Sequence, residues 1–284
     1  MRKKAAVFGA TPSAREDYDE IRKQYDIVVF CDNDSNKWNQ NLDGVRIVSP
    51  EDIFQYQWDE VIIVSFSAMD AIQKQLIDMG VPQNKINISY VNYKVWAREI
   101  FVKHYAQVIN AITDKEICVA EAGVFQGEFA RVINESFPDR KLYLFDTFEG
   151  FDGRDVAYEK EYGFSDAVEG YLNLTSESLI LGKMKYRENC VIRKGYFPES
   201  AEGVKERFCF VSLDMDLYKP TLEGLRFFYP LMTQGGIILI HDYFSHGYEG
   251  INAAVEEFIE ETDREIVPFP IGDAVSIAIQ KRQL

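Results

Sequence analysis

The stretch Arg207–Phe244, RFCFVSLDMDLYKPTLEGLRFFYPLMTQGGIILIHDYF, limits what this chain can fold into more than any other. Phe208–Leu213 and Gly236–Ile240 are apolar runs of five or six residues, as expected of strands buried on both faces of a parallel sheet. Leu217–Leu231, between them, has helical spacing and the length of a crossover. Adjacent strands lie about 4.8 Å apart, and open α/β sheets bind ligands at the carboxyl ends of their strands. Asp214 and Asp216 close the first strand, and His241 and Asp242 close the second. Four ionisable groups are thus expected at one sheet edge, within reach of a single ion or substrate hydroxyl.

At 284 residues the chain suits one large or two ordinary domains, and its 46% hydrophobic content supports a real core. No apolar run approaches the ~20 residues of a membrane span. The start, MRKKAAVFGATPS, reads as a first strand rather than a signal peptide, because its apolar run is short and a helical pattern follows at once. Cys31, Cys118, Cys190 and Cys209 show neither metal-ligand nor disulfide spacing, as expected of free thiols in a reducing cytoplasm. A net charge of −15 argues against nucleic acid or an anionic membrane as a general partner.

Residues 1–92 read as a small α/β unit, with strands over Lys4–Phe8, Asp26–Cys31, Val45–Val48, Glu60–Phe66 and Ile86–Val91. Ser13 and Glu16 have capping-box spacing, Ser49-Pro50 marks another helix start, and Ala68–Met79 is a helix that Gly80 stops. The turn Gly9-Ala10-Thr11-Pro12-Ser13 lacks the later glycines of G-x-G-x-x-G, and Pro12 removes a backbone donor. A structural or dimerisation role is therefore favoured over nucleotide binding, with Asp32 and Asp34 as turn formers. A homo-oligomer is compatible with that role.

Residues 93–113 read as a connecting helix, on which Val95, Ile100, Tyr105, Val108 and Ile112 recur at roughly helical spacing and His104 is an ordinary surface or packing residue. A second unit spans 114–284. Its strand Glu116–Glu121 leads into Glu121-Ala-Gly123-Val-Phe-Gln-Gly127 and a helix to Phe137; the strand Lys141–Phe145 is followed by Asp146 and Thr147. A glycine turn that permits close backbone approach, with an acid after the second strand to accept from a ribose diol, is a nucleoside-binding layout. Residues 152–189 hold no strong strand, and an insertion of that size is often a lid. Its aromatics Tyr158, Tyr162, Phe164 and Tyr171 serve either to stack on a sugar or base or to pack the lid itself. Cys190–Arg193, a helix over Glu249–Thr262, and strands over Glu265–Phe269 and Val275–Gln280 complete the unit.

EAGVFQGEFARVINESFPDRKLYLFDTFEGFD at 121–152, SLDMDLYKPT at 212–221 and GGIILIHDYF at 235–244 resemble, in order, the macrocin O-methyltransferase (TylF-like) family, over residues ~100–284. The first unit resembles the small Rossmann-like domain of sugar-modifying proteins through VFGA at 7–10, VFCDND at 29–34 and DEVIIVS at 59–65. The family resemblance implies a class I S-adenosylmethionine-dependent methyltransferase fold, a seven-stranded Rossmann-like sheet with an antiparallel last strand, and methylation of sugar hydroxyls with a divalent cation, usually Mg2+. By position it places Glu121, Gly123 and Gly127 beside the methionine part of the cofactor. Asp146, with Thr147 next to it, falls at the ribose, and Tyr196 and Phe197 fall near the adenine. It makes Asp214 and Asp242 metal ligands and Asp216 the general base. His241 departs from the family's paired acids; it can ligate through a neutral imidazole, although oxygen suits magnesium better.

The residue types agree with that chemistry. A sugar hydroxyl is a poor nucleophile, a cation lowers its pKa, and a carboxylate within reach accepts the proton. The alternative for the acids is that each caps the helix after its strand. His246 is a further residue able to reach the sugar. The expected acceptor is a nucleotide sugar, a surface-glycan precursor or a glycosylated natural product. The other readings are methylation of a small phenol or catechol, and a non-catalytic scaffold of a glycan pathway.

Overall fold

The computed structural model describes residues 2–11, 14–65, 68–262 and 265–282. The chain divides into two compact units, residues 1–95 and 96–284.

The first unit is a six-stranded sheet of β1 (Lys3–Phe8), β2 (Tyr25–Cys31), β3 (Asn41–Leu42), β4 (Val45–Val48), β5 (Glu60–Ile63) and β6 (Ile86–Asn87), in the order β3-β4-β2-β1-β5-β6. Only the β3–β4 pair is antiparallel. Helices α1 (Arg15–Gln24) and α2 (Met69–Asp78) flank it, and Ser49 caps the short 3-10 helix Pro50–Gln55 by accepting from the Asp52 amide at 3.3 Å. Strand β6 stops at Asn87, far short of Val91, because a helix already begins at Ser89. Strand β5 stops at Ile63; Phe66, like Pro12 and Ser13 of the first turn and its capping box, lies outside the described residues. Asp32 does more than form a turn. One of its oxygens accepts from the Ala10 amide and the Lys37 ammonium, both at 2.9 Å, and the other from the Asp34 amide at 2.9 Å. It thereby pins the turn after β1.

Helix α3 (Ser89–Ile112) crosses the division at residue 95. In the second unit its buried stripe is Arg98, Val102, Ala106 and Ile109, while Val108 and Ile112 are exposed. The expected apolar face is therefore displaced. Val108 and Ile112 share a helical period with Ile100 and Tyr105 but lie on its outer margin, so periodicity alone set the stripe about one residue off.

The second unit contains β7 (Cys118–Ala122), α4 (Glu128–Ser136), β8 (Leu142–Asp146), α5 (Gly153–Tyr162), α6 (Glu177–Lys183), β9 (Cys190–Lys194), β10 (Phe208–Leu213), α7 (Tyr218–Leu231), β11 (Met232–Ile240), α8 (Glu249–Glu261), β12 (Phe269–Pro270) and β13 (Ile277–Gln280). The sheet order is β12-β13-β11-β10-β7-β8-β9, and β13 runs antiparallel to both of its neighbours. Central strands are buried on both faces: Val211 and Leu213 point into the core with α7 and α8, and Phe210 into the core with α3, α4 and α6. That explains the unbroken apolar runs. The strand expected over Glu265–Phe269 is only Phe269–Pro270; Pro270 lacks an amide to donate, and it sits on an edge strand where none is needed. Among the described residues no helix is long and apolar enough to cross a membrane.

Candidate active site

Strands β7, β10 and β11 are adjacent and parallel, so their ends share one edge. Two ladder bonds continue past the strands, Asp214 N–H to Ala122 O at 2.8 Å and His241 N–H to Leu213 O at 3.0 Å. These bonds bring the turns together. Among the described residues, Asp214, His241 and Asp242 form a group able to hold a metal ion, with one ligand atom of each lying within 4.8 Å of the others. The Nδ1 of His241 is 3.1 Å from Asp214 Oδ1 and 2.7 Å from Asp242 Oδ2.

The outward oxygens of both carboxylates are already engaged. Arg98 donates to Asp214 Oδ2 at 3.0 Å and to Ser212 Oγ at 3.1 Å, and Ser245 Oγ donates to Asp242 Oδ1 at 2.5 Å. Arg98 is 4% exposed, and its guanidinium lies 3.7 Å from the centre of the Phe129 ring. Burial, the largest single effect, pushes the Asp214 and Asp242 carboxyls upward, but His241 together with Arg98 at Asp214 and Ser245 at Asp242 brings both below the ordinary range. Burial acts downward on His241, yet the two carboxylates raise it to about 10. Asp216 goes the other way: burial and then repulsion from Asp242 and Asp214 push it well above the ordinary carboxylate range.

The helix-capping alternative is not what these acids do. Helix α7 has Leu217 at its N-cap and α8 has Tyr248, neither with a side-chain cap bond. The first amide of α7, on Tyr218, instead donates to Glu159 Oε1 on α5 at 2.7 Å. Asp216 and Asp242 have φ of 62° and 56°, the left-handed region in which Asp and Asn are tolerated best among residues with a Cβ.

Beside this cluster, Gly123 (φ 83°) passes so close to β10 that an added Cβ would stand 1.9 Å from the Asp214 carbonyl oxygen. Gly127 (φ 80°) is the N-cap of α4. Asp146 shapes the turn between them: one oxygen accepts from the Val124 and Phe125 amides at 2.8 and 2.9 Å, the other from Phe148 at 2.7 Å. A carboxylate has about four lone-pair sites, so three are committed to backbone. Ala10–Asp32 in the first unit repeats this arrangement at the same separation of 22 residues as Val124–Asp146. Thr147 is spent within its own turn, donating to Gly150 O at 2.8 Å. A strap from the insertion crosses the glycine turn: Gln126 donates to Leu174 O at 3.0 Å and Thr175 to Phe125 O.

Two other predicted cofactor residues are built into the protein. Phe197, 6% exposed, packs on Phe145, Phe227 and Phe228. Tyr196 donates to Asp155 at 2.8 Å beneath the Arg154 guanidinium. The insertion's aromatics satisfy each other: Tyr158, Tyr162 and Phe164 stack together, with Tyr158 and Phe164 also stacked on Tyr218, and Tyr171 packs on Phe151. His246 and His104 are exposed and outside the metal-capable group.

Glu121 is interior, 1% exposed, and its Oε2 has no hydrogen-bond partner among the described residues. Burial, only partly offset by Arg98, pushes its carboxyl well above the ordinary range. The folded state therefore binds that proton more tightly than the unfolded chain does, and stability is lost as pH rises above the unfolded value near 4.3. Glu121→Gln should melt no lower than the parent at pH 8 and show a flatter decline in Tm between pH 5 and pH 8, as measured by thermal denaturation.

Arg98, Glu159 and Ser245 were not singled out from the sequence. Only Arg98 left a signal: it stands four residues before Val102 and eight before Ala106, on the buried stripe of α3.

A sheet in this order, with its last strand reversed, and a glycine turn beside paired strand-end acids define a class I methyltransferase. Residues 90–274 match the family model of macrocin O-methyltransferase (TylF), so the chain belongs to that family and is an O-methyltransferase. Residues 1–87 match the model of the C2185-like N-terminal domain. No curated protein matches the chain. Among solved structures, the O-methyltransferase NovP is similar at 19% identity and a TM-score of 0.52, covering 66% of this chain and 80% of its own. The calicheamicin methyltransferase CalS11 is similar at 16% identity and a TM-score of 0.50, covering 75% and 85%.

Proposed function

We propose that the protein transfers the methyl group of S-adenosylmethionine to a sugar hydroxyl, with a divalent cation at the ends of β10 and β11 and Asp216 as the proton acceptor. The observation that carries this reading is the gathering of Asp214, His241 and Asp242 beside the Gly123 turn, with Asp216 near enough to feel both acids and none of the four used to cap a helix. Family membership favours S-adenosylmethionine as donor and a sugar, alone or on a nucleotide or natural product, as acceptor.

The donor set suits a divalent cation: two carboxylates below their ordinary range and one imidazole, with one ligand atom of each within 4.8 Å of the others. Asp214 and Asp242, with His241 beside them, would hold it. A cation there supplies a lowered hydroxyl pKa and a fixed hydroxyl position. The protein's own residues do the rest. Arg98 and Ser245 hold the two carboxylates in orientation. Asp216, raised by burial and its acidic neighbours, is a stronger base than a surface carboxylate and accepts the hydroxyl proton. The sulfonium already activates the methyl group, so the remaining task is alignment of oxygen, carbon and sulfur. The turn Gly123–Gly127, held in shape by Asp146, borders the donor.

Titration calorimetry with S-adenosylhomocysteine tests the donor half. Saturable one-to-one binding is expected; its absence would remove methyl transfer from this site.

A further inference from the structure

We infer that His241 is itself a ligand, through Nδ1, which releases to solvent the proton it shares with the two acids when a cation binds, and that the site selects a borderline divalent cation such as Mn2+ or Co2+ over Mg2+. This rests on the cation-assisted reading above and specifies its metal. Asp214 has given Oδ2 to Arg98, and Asp242 has given Oδ1 to Ser245. The other oxygen of each acid, Asp214 Oδ1 and Asp242 Oδ2, faces His241 Nδ1, at 3.1 and 2.7 Å, while Asp216 also bonds to the Asp242 carboxyl. These separations match the edges between neighbouring ligands in a coordination shell with bonds near ~2.1 Å.

The imidazole is held there. His241 is 7% exposed, and its backbone amide is tied to Leu213 O at 3.0 Å. The three donors thus offer one nitrogen and one oxygen from each acid, all within 4.8 Å of one another. Bidentate carboxylate binding, which an all-oxygen site can fall back on, is blocked at both acids by their outer partners. Mg2+ demands oxygen ligands in near-ideal octahedral geometry. Imidazole nitrogen favours later divalent metals. Arg98 and Ser245 are the outer partners that a genuine site needs in order to orient its carboxylates.

The test uses the full-length protein loaded with Mn2+ and read by pulsed electron paramagnetic resonance. An imidazole nitrogen coupling to Mn2+ is expected. It should persist in a His104→Gln/His246→Gln variant, which removes the chain's other two histidines, and vanish in His241→Asp. Calorimetry should show Mn2+ binding on the order of tenfold tighter than Mg2+ in the parent, with the gap narrowed in His241→Asp. Cofactor-product binding by that variant serves as the check that it has folded. Mn2+ bound without nitrogen coupling, or an unchanged Mn2+/Mg2+ ratio in His241→Asp, would overturn the inference while leaving cation-assisted transfer standing. Failure of the parent to bind any divalent cation would overturn both, leaving the histidine as the positive partner of the two acids.

Discussion

Asp216→Asn is expected to lower kcat by about 10²- to 10⁴-fold, the usual contribution of a positioned general base, with S-adenosylhomocysteine affinity unchanged. The substitution is chosen on structural grounds. Asp216 sits at φ 62°, where alanine would be strained but asparagine is tolerated. Asparagine has nearly the same size and shape and adds no charge beside Asp242 and Asp214, so the fold should tolerate it. A drop in kcat with an unchanged Tm therefore reports lost chemistry. Parent-like kcat in Asp216→Asn would remove Asp216 as base.

The second large effect is structural. Gly123→Ala places a methyl group 1.9 Å from the Asp214 carbonyl oxygen, and backbone rather than a flexible side chain stands in the way. The left-handed φ of 83° adds about 1–2 kcal/mol for any residue with a Cβ, and overpacking about 1–3 kcal/mol more. A loss of about 2–5 kcal/mol, measured by urea denaturation, is a large share of the roughly 5–15 kcal/mol typical of a domain. Gly163→Ala is the control. It shares a positive φ of 69° but meets nothing within 4 Å, so it should show only the smaller backbone cost. Equal losses at the two positions would mean that the β7 and β10 turns are not in the close contact described. Because that contact joins the glycine turn to the acids, Gly123→Ala should also weaken both cofactor and cation binding.

Much of this was legible because burial on two faces leaves a plain trace. Strand β10 was readable to the residue, since Phe208–Leu213 has no solvent side to break its apolar run. The meeting of Asp214, His241 and Asp242 at the ends of β10 and β11 is what strand adjacency leads one to expect. Less legible was how the neighbours of those groups are spent. Nothing local marks Glu159 as the cap of α7, because the bond joins residues 59 apart. Asp146 looks in sequence like an acid free to meet a ribose; in the fold it holds three backbone amides. Phe197 follows a strand end as a ligand-facing residue would, but the neighbouring phenylalanines on β8 and α7 take its ring into the core. Edge strand β12, two residues long, is defined by pairing with β13 rather than by its own pattern.

The most direct test is transfer of a labelled methyl group from S-adenosylmethionine to a panel of nucleotide sugars, free glycosides and catechols, with and without a chelator. Label should appear on a sugar hydroxyl, be lost on chelation and return when a divalent cation is restored. Methylation of catechols but not sugars, or sugar methylation indifferent to the chelator, would contradict the proposed function.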